Sequence, residues 1–62
     1  AIMSAYIKTE VSRPPENELL DTLNSQGEQS YLIRKGGLYF FSDMSMYVYY
    51  VPTQWRLAKG QS

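Results

Sequence analysis

Residues 5–11 alternate, with Ala5, Ile7, Thr9 and Val11 on one side and Tyr6, Lys8 and Glu10 on the other. A period of two is the signature of a half-buried strand. Ser12-Arg13-Pro14-Pro15 ends it, because prolines remove backbone donors and fix φ, and a proline suits the first turn of a helix. Past the prolines the period changes. Leu19, Leu20 and Leu23 form a narrow apolar stripe, Glu16, Glu18 and Asp21 fall where carboxylates favour the positive end of a helix dipole, and Gly27 is placed to cap the C-terminus. The spacing predicts one short amphipathic helix over residues 15–25.

Residues 29–51 carry the richest pattern. Gly36-Gly37 separates two apolar runs, and a glycine pair adopts the positive φ angles of a tight hairpin turn. Asp43-Met44 is a second candidate turn. Taking both as two-residue loops sets Ile33 opposite Phe40, Phe40 opposite Tyr47, Leu32 opposite Phe41 and Phe41 opposite Met46. One face then shows Leu32, Arg34, Tyr39, Phe41, Met46, Val48 and Tyr50. The other shows Tyr31, Ile33, Leu38, Phe40, Tyr47, Tyr49 and Val51. Neither face is polar, although a sheet with one solvated side alternates apolar and polar residues. Pro52 ends the run, and residues 53–57 add a short strand or turn that docks Trp55.

The resulting order is strand, helix, then a three-stranded antiparallel meander, an α+β fold with the helix packed on one face of the sheet through Leu19, Leu20 and Leu23. The domain is expected to cover residues 4–58. Met3 reads as a translation start preceded by a two-residue cloning remnant, and residues 59–62 read as a frayed tail.

At 62 residues the chain supports one thin core. Domains of this size often compensate with disulfides, a metal or self-association. The sequence has no Cys and no His, which leaves self-association. It also removes the commonest general base, the thiolate nucleophile and most transition-metal ligands, so neither an enzyme nor a metal or cofactor site is expected. Glu18 and Asp21 are best explained as a solvated helix start, and Lys35-Gly36-Gly37 as hairpin chemistry rather than a phosphate cradle.

No stretch approaches a membrane span, and the expected location is the cytoplasm. Formal net charge is zero, which gives little long-range pull on nucleic acid or acidic lipid. The charges are unevenly placed. Up to Ser30, Lys8 and Arg13 stand against Glu10, Glu16, Glu18, Asp21 and Glu28, a net −3; from Tyr31 onward Arg34, Lys35, Arg56 and Lys59 stand against Asp43, a net +3. That asymmetry predicts a dipolar molecule.

Tyrosine supplies large contact area with few rotamers and a hydrogen-bonding tip. The expected contact surface is therefore Tyr31, Phe40, Tyr47 and Tyr49 with Arg34 and Lys35 at its rim. It implies a non-enzymatic protein-binding domain, a small inhibitor or regulator of a larger protein or a homodimer. The alternative is a single-stranded nucleic-acid module, stacking bases on the same rings beside Arg34, Lys35 and Arg56.

Overall fold

The computed structural model describes residues 5–58. Five strands, β1 (Ile7–Lys8), β2 (Leu19–Leu23), β3 (Gln29–Lys35), β4 (Leu38–Phe41) and β5 (Gln54–Leu57), form one antiparallel sheet in the order β1-β5-β2-β3-β4. The last strand thus inserts between the first two. Among the described residues there is no helix, and none long and apolar enough to cross a membrane. The start and remnant assigned to residues 1–3 and the tail at 59–62 lie outside the described residues.

The α+β expectation is overturned, because the segment assigned to a helix over 15–25 is the central strand of an all-β sheet. Asn17 takes a φ of 65°, which stops any helix started at Pro15. Beyond it, Leu20 and Thr22 point to the core while Leu19, Asp21 and Leu23 point away, so five residues that resemble a leucine stripe also fit a period of two. Three leucines make a weak helix face, and an isolated helix of that length is marginal in water. As a strand, β2 pairs over Leu19–Leu23 with β3 on one side and over Leu20–Leu23 with β5 on the other. Gly27 does adopt positive φ, at 82°, but in a β-hairpin turn. There Asn24 Oδ1 accepts the backbone N–H groups of Gln26 and Glu28, each at 2.9 Å. A helix cap and this turn both call for the left-handed conformation, so the glycine signal fits either.

Two other elements are shorter than expected. The first strand keeps only Ile7–Lys8, since Val11 and Ser12 donate back to Lys8 O and turn the chain. The third meander strand reduces to one bridge, Phe40 to Tyr47, flanked by bonds from Phe41 N to Met46 O and from Val48 N to Tyr39 O. The hairpin register is as the sequence predicts, with Ile33 opposite Phe40 and Leu32 opposite Phe41. Gly36 and Gly37, at φ 62° and 85°, form the turn.

Directly opposed residues share a face, so the register places Leu20, Leu32, Tyr39 and Trp55 on one side together with Val48, and among the described residues these are the buried hydrophobic core. Loops cover that side. Pro14 and Pro52 are fully buried, Trp55 Nε1 donates to Ser12 O at 2.7 Å, and Arg34 Nη1 donates to Pro14 O at 3.1 Å. Thr22, also inward, satisfies its hydroxyl by donating to Ser30 O at 2.9 Å.

Two stability outcomes follow. Leu20→Ala empties a fully buried site between paired strands and is expected to cost about 2–5 kcal/mol in urea unfolding. At the turn, nothing lies near a Cβ placed on Gly36, so only backbone conformation decides: Gly36→Asn should leave the urea midpoint within ~0.5 kcal/mol, while Gly36→Val should lower stability by about 1–2 kcal/mol. Equal midpoints for the two variants would contradict the turn geometry.

Candidate functional site

The face opposite the core has two halves. In the first, Leu19, Ile33, Phe40 and Tyr47 stand directly opposite one another across β2, β3, β4 and the bridging residue. The row crosses three strand spacings, about 14 Å. Phe40 and Tyr47 meet edge to face with ring centroids 6.0 Å apart. Leu38 and Lys35 form the next row on one side, and Tyr31 lies in the next row on the other. None of these apolar side chains is buried; Tyr31 and Tyr47 keep 52% and 53% of their surface in solvent.

Leu38 and Tyr47 also line a shallow groove of about 150 Å³ with Tyr49, Tyr50 and Val51. Its volume is below the range of ordinary small-molecule pockets, roughly 300–1,000 Å³. Tyr49 is 95% exposed and packs edge to face on Tyr50 at 5.8 Å. The groove therefore shares Leu38 and Tyr47 with the open face and reaches the core side at Tyr39 and Val48.

The second half of the face is polar and internally satisfied. Asp21 accepts hydrogen bonds from Tyr6 Oη at 2.8 Å, Gln29 Nε2 at 3.0 Å and Arg56 Nε at 2.9 Å, and the Arg56 guanidinium lies 4.2 Å from the Tyr6 ring centre. Burial pushes the Asp21 carboxyl up, but the bonds from Gln29, Tyr6 and Arg56 together outweigh it and hold the group below its ordinary value. The Tyr6 hydroxyl is raised, by burial first and by its bond to the carboxylate second. Both shifts run away from neutrality, the opposite of what a proton-transferring pair near pH 7 requires. This network ties β2, β3, β5 and the segment before β1 together.

The predicted contact residues are divided by the fold. Tyr31, Phe40 and Tyr47 share the open face with Lys35 at its edge, and Tyr49 borders the groove. Arg34 does not join them. It opposes Tyr39 on the core side, where it bonds Pro14 O and lies 3.7 Å from Glu16. Leu19 was missed as a surface residue because it was assigned to a helix, although the alternation of Leu19, Asp21 and Leu23 was a usable signal. The Asp21 network had no such signal, since Asp21 and Arg56 lie 35 positions apart and Tyr6 is on the far side of Asp21 in sequence. The expected charge dipole is likewise reduced, because Asp21–Arg56 and Glu16–Arg34 pair the acidic first half with the basic second half.

A comparison of the chain with family models, curated proteins and solved structures returned no match.

Asp21 makes stability depend on acid. Its folded-state value is depressed, so the stabilisation is complete above the ordinary carboxylate value and is lost as pH falls through the folded one. The urea midpoint should fall below about pH 4. Asp43, also depressed by the Ser45 hydroxyl and backbone N–H, adds a smaller share. Asp21→Asn should flatten most of this acid limb while lowering stability at pH 7. An unchanged limb in that variant would remove Asp21 as its source.

Proposed function

We propose that this chain is a non-enzymatic protein-interaction domain that uses the open apolar row of its sheet. One observation supports the reading above others: the buried hydrophobic residues all lie on one side, while Leu19, Ile33, Phe40 and Tyr47 stand unburied in a line on the other. Tyr31 and Leu38 in the flanking rows are also about half exposed, so the apolar surface continues to either side of the line. The patch is rimmed by Lys35 and by the hydrogen-bonded Asp21 network, an apolar centre with a polar margin. A cytoplasmic location is part of this proposal.

The nucleic-acid alternative has less support from the side-chain positions. It needs Arg34, Lys35 and Arg56 beside the rings, whereas Arg34 lies on the opposite face and Arg56 bonds Asp21. Lys35 is the cation that remains next to the row.

The test places a photo-reactive phenylalanine at Tyr47 and, separately, at the well-exposed Val11 in the native cell. Cross-linking at position 47 is expected to give protein adducts at least several-fold above position 11. Equal yields would overturn the reading, and adducts to nucleic acid instead of protein would replace it with the alternative.

A further inference from the structure

We propose that the groove bordered by Tyr39, Tyr47, Tyr49 and Tyr50 is an aromatic cage for a quaternary ammonium group. The inference goes beyond the protein-binding reading, because it turns on Tyr49 and Tyr50 rather than on the open row. Three observations carry it: the tyrosines that converge there, the angle between two of their rings, and the neutrality of the lining.

Four of the six tyrosines in the chain border this one concavity of about 150 Å³. Backbone pairing gathers them. Tyr39 lies on β4, and the Phe40 to Tyr47 bridge with the bond from Val48 N to Tyr39 O brings the segment after Met46 back beside that strand. A cavity of about 150 Å³ has room for a molecule of benzene's size, and a trimethylammonium head is of that order.

Tyr49 and Tyr50 stand with ring centroids 5.8 Å apart and an interplanar angle of 87°. The corner between two perpendicular rings presents a face of each. Ring faces are the negative side of the aromatic quadrupole, so a cation seated in that corner is attracted by both. Tyr49 keeps 95% of its surface in solvent, which leaves its ring open to a ligand. The groove residues include neither a basic side chain that would compete for the ring faces nor a carboxylate. A primary ammonium entering it would give up water around three N–H donors with no carboxylate to replace that water. A quaternary ammonium has no N–H to satisfy, so the neutral lining favours it. Trimethylated lysine and a choline headgroup both carry this chemistry.

Proton–nitrogen correlation NMR on the full chain, titrated with tetramethylammonium chloride to about 50 mM at constant ionic strength, tests the cage. Saturable shifts are expected at residues 47–51, with a dissociation constant on the order of millimolar. Methylammonium and the neutral carbon isostere of choline should each bind at least about fivefold more weakly than tetramethylammonium and choline respectively. Tyr49→Leu should raise the tetramethylammonium dissociation constant about fivefold and Tyr49→Phe should keep it within about twofold, both with Trp55 fluorescence unchanged. Phosphocholine and an acetylated trimethyl-lysine amide, titrated in parallel, identify the natural source by the tighter of the two. Absence of saturable shifts overturns the proposal. So does equal binding of the neutral isostere, which would make the groove merely apolar, or wild-type affinity in Tyr49→Leu.

Discussion

Everything in this fold depends on β2 being hydrogen-bonded along both edges. Its neighbours are β3, which follows directly, and β5, which returns from the far end of the chain. A strand paired on both sides satisfies its backbone donors and acceptors without water, and each unpaired buried group would cost about as much as a lost hydrogen bond. That requirement overrides the local preference of a leucine-rich, carboxylate-rich segment for a helix. It also decides which residues become core, because the alternation of β2 aims Leu20 and Thr22 at Leu32, Trp55 and the loops beyond them.

Placing β5 beside β2 has an electrostatic consequence. Arg56 arrives next to Asp21, and the carboxylate, buried beyond what an exposed surface group meets, is kept ionised by three donors from three separate segments. Removing one partner from such a network leaves the others unsatisfied, which is costly for a buried group. The same placement interleaves the acidic and basic halves of the sequence. A dipole visible in one dimension is partly cancelled in three.

The one-sided core is the second consequence. The loops around Pro14 and Pro52 cover one face, and among the described residues no helix covers the other. Aromatic and aliphatic residues on that face pack laterally, as Phe40 and Tyr47 do, and leave their outer surfaces in water. Water contact over several apolar residues in a row is unfavourable at about 25 cal/mol per Å². The Asp21 network, by contrast, is already satisfied and offers a partner little.

Part of this was legible in the sequence for a simple reason: hairpin register depends on turn residues and on period-two alternation, both local. Gly36-Gly37 and the flanking runs placed Ile33 against Phe40 and set the two faces of β3 and β4, and hence the shared side of Tyr31, Phe40 and Tyr47. What only the tertiary structure decided was the fate of segments whose local signals fit two states. Leu19–Leu23 reads equally as a leucine stripe or an alternating strand, and Gly27 equally as a helix cap or a turn. Arg34 was named at the rim of the contact surface although alternation on β3 already set it on the face of Leu32 and Tyr39, and the structure keeps it there with the carbonyl of Pro14 as acceptor. The pairing of β2 with β5, more than thirty residues away, carries no local signature. Together with the β2–β3 hairpin it makes Leu19–Leu23 a strand, because long-range backbone pairing and burial outweigh intrinsic propensity.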